Sequence, residues 1–243
     1  MRFDILTLFP GMFDGVFNYS IVERAIERSI IDIHLHDIRA FTYDKHHIVD
    51  DYPYGGGAGM VMKPEPVFDA VEAVMKEYNG NSSSIILLSP VGRLYNQGVA
   101  QQMAQCDHLV LICGHYEGVD ERISEHLIDE EISIGDYILS GGEIAAMVVV
   151  DSITRLLPGV VGSEASIEEE SHVEGLLEYP HYTRPAVFRN WSVPEVLTSG
   201  NHSRIARWRR QQSLLRTMKR RPDLMEKYTL TREDQKLLDE IND

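Results

Sequence analysis

The chain reads as an α/β protein built on a parallel sheet. Two observations predict it. Leu109-Val110-Leu111-Ile112-Cys113 and Ser84 to Leu88 are continuous apolar or β-branched runs, the pattern of strands buried on both faces. Strand-like and helix-like segments alternate up to about residue 160, which favours parallel strands joined by helical crossovers. A third feature concerns function. Gly114 follows Cys113, Gly135 follows Ile132-Ser133-Ile134, and Gly141-Gly142 precedes a long apolar run. Glycines at strand ends let backbone groups approach a flat ligand, and two such loops one strand apart can make one cleft at the carboxyl edge of the sheet.

Taken in order, Arg2 to Phe9 reads as a first strand closed by Pro10-Gly11, and Ile21, Val22, Ala25, Ile26 and Ile30 have helical spacing. Ile31, Ile33 and Leu35 alternate with Asp32, His34 and His36, a half-buried strand. The polar stretch Asp44 to Asp51 leads into Pro53-Tyr54-Gly55-Gly56-Gly57-Ala58-Gly59, and Pro64 to Met75 is a helix. Ser84–Leu88 ends at Ser89-Pro90-Val91-Gly92-Arg93, Gln97 to Cys106 is helical, and Leu109–Cys113 follows. Glu143 to Leu157 is a helix apolar almost all round, which predicts an interior position. Gly162 to Glu174 is acidic and poor in large apolar residues, a linker composition. Beyond it the pattern is helical. Ser192-x-x-Glu195 has the form of a capping box, Gly200 stops a short helix, Asn201 or Ser203 caps a basic helix, Pro222 ends it, and Thr231 starts the last.

Composition narrows the function classes. No apolar run approaches the roughly 20 residues that span a bilayer, and Met1-Arg2-Phe3-Asp4 enters the first strand directly, so neither a membrane span nor a signal peptide is expected. Cys106 and Cys113 are too few and too close for a disulfide or metal framework, and a cytoplasmic location is the expectation. Net charge is −15, yet Arg204 to Arg221 carries eight basic and no acidic side chains, leaving the remainder at −23. Such asymmetry points to a polyanionic partner docking on one segment.

The glycine run at 55–59 is neither a P-loop nor a dinucleotide fingerprint, since no Gly-Lys-Ser/Thr follows and no strong strand precedes it. An anion nest and a mobile turn both remain open for it. In Gly114-His115-Tyr116-Glu117-Gly118-Val119-Asp120-Glu121-Arg122, His115 and Glu117 suggest acid–base or metal work, although the spacing is not a structural zinc pattern. Asp120 and Glu121 fall where a helix should begin. Glu117, between glycines, has no such explanation.

Five segments in order then resemble one family: Pro53-Tyr54-Gly55-Gly56-Gly57, Gly114 to Arg122, Ser133 to Glu143, Pro180-His181-Tyr182-Thr183-Arg184-Pro185, and Leu197-x-Ser199-Gly200-Asn201-His202. They are similar to those of the bacterial tRNA (guanine-N1)-methyltransferases, over nearly the whole chain. The resemblance implies a SPOUT fold, a parallel sheet with a deep trefoil knot plus a small C-terminal all-helical domain. The knot has no independent basis in the residues, because threaded chains are rare. Domains are expected at 1–162 for the knotted methyltransferase, 163–174 for a flexible acidic linker, and 175–243 for a helical tRNA-binding domain. The resemblance also implies a homodimer with shared active sites, S-adenosylmethionine as methyl donor, a Mg²⁺ requirement with no ligands assigned, and the guanosine just 3′ of the anticodon (position 37) as target.

It assigns residues too. Leu87, Leu88, Ser89, Pro90, Gly114, Ile134, Gly135, Asp136, Tyr137, Ile138, Leu139, Gly141 and Gly142 would hold the donor. Asp50, Gly59 and Glu117 would lie near the guanosine, and Arg204, Arg207, Arg209, Arg210 and Arg216 would grip the anticodon stem-loop. A methyl donor of this kind needs no nucleophilic side chain. What it needs is alignment, a carboxylate to take the guanine N1 proton and a cation near O6. By resemblance the cation is Arg155 and the base is Glu170, where the family carries Asp, with Glu169 as the alternative. Two other readings stand beside this one: a knotted enzyme acting on ribose 2′-oxygen, and a non-catalytic RNA-binding module.

Overall fold

A computed structural model describes residues 1–80, 82–162, 170–173 and 175–242 of the chain. It divides into two compact units, Met1–Gly162 and Ser163–Asp243. The first contains a five-stranded sheet of β1 (Arg2–Thr7), β2 (Asp32–Asp37), β5 (Ser83–Leu94), β6 (His108–Cys113) and β7 (Glu130–Ser133). All are parallel, in the order β2-β1-β6-β5-β7. A two-stranded ribbon, β3 (Asp50–Asp51) and β4 (Val61–Met62), frames the glycine run.

Period-two alternation sorts the strand residues onto two buried clusters. Phe3, Ile5, Ile86, Leu88, Leu109, Leu111 and Cys113 face one side. There they meet α2 (Ser20–Glu27), α4 (Gln97–Met103) and α6 (Glu143–Thr154) through Val22, Ala100, Val149 and Ile153. Leu6, Leu87, Val110 and Ile112 face the other, under α3 (Pro64–Glu77) and α5 (Glu121–His126), where Val67, Val71 and Ile123 pack. A further single turn, α1 (Asp14–Phe17), precedes α2.

Three local expectations change. The stretch Ser89–Arg93, where the strand was expected to end, continues β5, which shifts register so that Arg93 and Leu94 pair with Ile132 and Ser133. Helix α6 is not interior all round. Ala145, Val149 and Ile153 are buried, while Ile144 and Val148 are 49% and 41% exposed. Ser192 makes no capping box, because it lies in a hairpin strand and gives no side-chain cap to the helix at Glu195.

That hairpin, β8 (Val187–Phe188) with β9 (Trp191–Ser192), also corrects the all-helical expectation for the C-terminal unit. Among the described residues of that unit the helices are α7 (Glu195–Thr198), α8 (His202–Arg220), α9 (Pro222–Lys227) and α10 (Arg232–Asn242). Its core is Leu176, Leu214, Leu237 and Leu238, with Met225, Tyr228 and Leu230 against them. Asn201 caps α8 by accepting from the Arg204 amide at 3.1 Å. Thr231 and Asp234 cap α10 reciprocally, amide to side chain in both directions.

Candidate active site

At the carboxyl edge, the chain leaving β6 and the chain entering α6 are clasped together. The Gly142 amide donates to the Gly114 carbonyl at 2.8 Å, and His115 bridges to Gly141. A Cβ on Gly142 would stand 2.7 Å from Cys113 Cα, so only glycine permits the approach. Behind this clasp Thr7 Oγ1, at the end of β1, donates to Glu143 Oε1 at 2.7 Å, both residues being buried. That bond pins the first turn of α6 to the sheet. Burial, with the negative charge of Glu143 adding to it, pushes the Cys113 thiol well above its ordinary value, so it stays protonated and inert.

A cleft opens in front. Leu88, Ser89 and Pro90 of β5 line it, as do Gly114, the turn Ile132 to Gly135, Tyr137, Leu139, Gly141, Gly142 and Ala145. The turn braces itself, since Ser133 Oγ donates to the Gly135 carbonyl at 3.2 Å and Tyr137 Oη donates to the Ile134 carbonyl at 3.2 Å. Backbone amides and carbonyls, two serines and apolar side chains suit a planar heterocycle held edge-on by main chain and sandwiched by hydrocarbon. Of the donor residues expected from sequence, Leu87, Asp136 and Ile138 lie outside this lining. Alternation turns Leu87 to the opposite face of the sheet, and Ile138 is 81% exposed. Ile132, Ser133 and Ala145 line it without having been anticipated, Ser133 directly beside Ile134, which was.

On the other side of the Gly114–Gly118 loop lies a second cluster. The Glu117 amide donates to the Met60 carbonyl at 3.0 Å, and Met62 N donates to the Gly118 carbonyl at 2.9 Å. This seats the Glu117 side chain on Gly59, where an added Cβ would come within 2.5 Å of Glu117 Cγ. Asp50 pairs with Met62 in the adjoining ribbon. Tyr116 has a left-handed φ of 60°, and its ring meets His115 edge-on at 4.9 Å. Burial, then the charge of Asp50, raises the Tyr116 phenol, with Arg39 opposing. Phe9 packs on His115 at 5.1 Å and carries the Arg39 guanidinium over its ring. The structure thus gathers Asp50, Gly59 and Glu117 around Tyr116. Phe9 and Arg39 join them, and no local sequence pattern marked those two.

Arg155 lies at the end of α6 away from the cleft. It caps the C-terminal end of α6, whose N-terminal residue is Glu143, and twelve helical residues rise about 18 Å. Glu170 belongs to the second unit, and Glu168 and Glu169 lie outside the described residues.

On α8 the basic residues divide. Arg210 makes a two-point pair with Asp234, at 2.7 and 3.1 Å, and bonds Tyr228 Oη at 2.6 Å. Burial alone would raise Asp234, but the Arg210 hydrogen bond and the Thr231 cap bring it down to about 2. Arg210 is therefore committed to holding α10, a departure from its expected place among RNA contacts. Arg207 pairs with Glu240, and Arg209 stacks over Tyr179 at 4.7 Å. Arg204 is exposed and Arg216 half-buried. Among the described residues no group of three or more His, Cys, Asp or Glu is placed to hold a metal, and no helix is long and apolar enough to cross a membrane.

A parallel α/β sheet whose carboxyl edge ends in clasped glycine loops has its cleft where open α/β sheets characteristically take ligands. Comparison with known proteins makes this particular. The tRNA (Guanine-1)-methyltransferase TrmD family matches residues 1–227, and the chain belongs to that family. A tRNA (guanine-N(1)-)-methyltransferase of Dehalococcoides mccartyi is 60% identical over 241 residues, covering 99% of this chain and 97% of the relative. One from Geobacillus kaustophilus is 59% identical over 240 residues, covering 99% and 98%, and one from Carboxydothermus hydrogenoformans 58% over 238, covering 98% and 92%. The chain is a methyltransferase acting on tRNA guanine N1.

Proposed function

We propose that this chain transfers a methyl group from S-adenosylmethionine to N1 of the guanosine immediately 3′ of the tRNA anticodon. The observation that carries the reading is the placement of the backbone-lined cleft and the Asp50–Gly59–Glu117 cluster on two sides of one loop, Gly114 to Gly118. The donor supplies an electrophilic methyl, so the chain's own task is alignment and proton removal.

In this reading the C–S bond breaks as the N1–C bond forms, and the N1 proton passes to the Glu170 carboxylate. Arg155 stabilises the negative charge that moves onto O6. Glu117, Asp50 and the backbone at Gly59 orient the guanine. Glu169 is the alternative base. Because Arg155 stands about 18 Å along α6 from the cleft-side end of that helix, it serves the site of a second copy more readily than its own. The exposed apolar residues Ile144 and Val148 of α6, with Val91 and Leu94 at 84% and 54%, favour the same homodimer. A trefoil knot that holds the donor, a location in the cytoplasm, and division into a methyltransferase part (1–162), a linker (163–174) and a tRNA-gripping part (175–243) complete the proposal. Arg204 and Arg216, with Arg207 and Arg209, would meet phosphates. Mg²⁺ enters no step; a hard ion shared with RNA phosphates needs only one or two carboxylates.

The test is an anticodon stem-loop transcript incubated with S-adenosylmethionine and the chain, then digested for nucleoside mass spectrometry. The expected product is 1-methylguanosine, absent when that one guanosine is replaced by adenosine. Methyl on ribose would favour the 2′-oxygen reading. No product and no donor binding would favour a non-catalytic RNA-binding module.

A further inference from the structure

The β8–β9 hairpin exposes what proteins usually bury. Phe188 and Trp191 face each other as a directly opposed pair, so their rings share one side of the ribbon, with centroids 6.2 Å apart. They are 56% and 68% exposed, and Val187 on the other side is 58% exposed. The turn between the strands is Arg189-Asn190, with φ of 49° and 74°. It carries the Arg189 guanidinium over the Phe188 ring, 5.3 Å from its centroid. A two-stranded hairpin this short has no core of its own, so these rings are not placed there by packing.

Charge says what covers them. From Tyr179 to Pro194 the chain has no Asp or Glu but contains Arg184 and Arg189, within a protein of net charge −15. The exposed apolar face of α6, by contrast, is uncharged at Ile144 and Val148 and suits a second copy of the chain. Paired aromatic rings with a guanidinium beside them are the composition that stacks an unpaired base while the cation meets the adjoining phosphate.

We propose that the Val187–Ser192 hairpin is a nucleotide-stacking surface, in which Phe188 and Trp191 take an unpaired base of the tRNA and Arg189 lies beside its backbone. This rests on the reading of the chain as an enzyme of tRNA and adds a contact separate from the basic helix α8.

The chain has two tryptophans, so Trp208→Phe leaves Trp191 as the sole reporter in the full-length protein. Titration with an anticodon stem-loop transcript is expected to quench Trp191 saturably. Trp191→Ala and Phe188→Ala are each expected to weaken binding about 5- to 150-fold. Trp191→Phe should stay close to wild type, and all three should keep the wild-type salt slope. Circular dichroism and donor titration check that each variant is folded. Unchanged affinity in folded Trp191→Ala, or unquenched Trp191 at saturating RNA, overturns the proposal. So does a fall in sedimentation mass for Trp191→Ala with RNA affinity intact, which would make the hairpin a contact between copies. Wild-type protein that fails to bind the transcript would sink the functional reading together with the hairpin; wild-type binding unaltered by Trp191→Ala sinks the hairpin alone.

Discussion

The two edges of the central sheet are built on opposite plans. Toward the amino edge, side chains satisfy one another. Buried Asp4 takes hydrogen bonds from Arg2 at 2.5 and 2.9 Å and lies 2.7 Å from His108 Nε2 and 2.6 Å from His36 Nε2. His108 Nδ1 meets Ser83 Oγ at 3.0 Å, and the Tyr78 ring lies 4.1 Å from the His108 ring. At the carboxyl edge the cleft is lined by four glycines, two serines and apolar side chains, with no charged side chain among them. A saturated network rigidifies but offers nothing to a ligand, whereas a glycine-lined edge leaves backbone valences for one. The comparison teaches that the chain separates the part that holds the sheet together from the part that binds.

The sharpest way to break that contrast is at Asp4. Asp4→Ala strands Arg2 and two histidines around a hole and is expected to lower stability by about 3–5 kcal/mol, read as a fall in the denaturation midpoint. Donor affinity of the folded fraction should not move; a matching loss of affinity would show the two edges are coupled. Next comes Arg155→Ala. It is expected to slow methyl transfer about 100- to 1000-fold while donor titration stays unchanged, because in this account the guanidinium meets guanine O6 and not the donor.

Acid separates the units. Burial alone would raise Asp4, but hydrogen bonds from His108, His36 and Arg2 hold it well below the usual carboxylate range. Asp234 is brought down to about 2. Both are depressed on folding, so their stabilisation is present above the ordinary carboxylate value and is lost as pH falls through the folded one. For Asp234 this amounts to about 2 kcal/mol lost between about pH 4 and pH 2. Denaturant titrations across that range should show it, and Asp234→Asn should remove that part of the slope. The smallest effect is expected at Ser133→Ala, which removes one brace of the cleft turn. A loss of about 1 kcal/mol should appear as a few-fold weaker donor affinity.

Much of this was legible because it is local. Continuous apolar runs announced β5 and β6, glycines marked where the chain leaves the sheet, and the cap of α8 was narrowed to Asn201 or Ser203, of which Asn201 holds it. Asp50, Gly59 and Glu117 were grouped by the family resemblance alone, since Gly59 and Glu117 stand 58 positions apart along the chain, and the fold seats Glu117 on Gly59. What could not be read is long-range. Leu87 belongs to the strand that lines the cleft, yet strand alternation turns it away. Arg210 looks like its neighbours on α8 until Asp234 and Tyr228 arrive beside it. The hairpin at 187–192 was hidden because its strands are two residues long and its turn is Arg189-Asn190, without the glycine that normally signals such a turn.

The most direct measurement is calorimetric titration of S-adenosylmethionine into the wild-type chain and into Gly142→Ala, where the new methyl group would strike Cys113 and part the two loops. The expected result is saturable binding by the wild type and a loss of about tenfold or more in the variant, equivalent to about 1.4 kcal/mol, with both proteins folded. No binding by the wild type, or equal binding by the two, would contradict the claim that the glycine-clasped edge holds the donor.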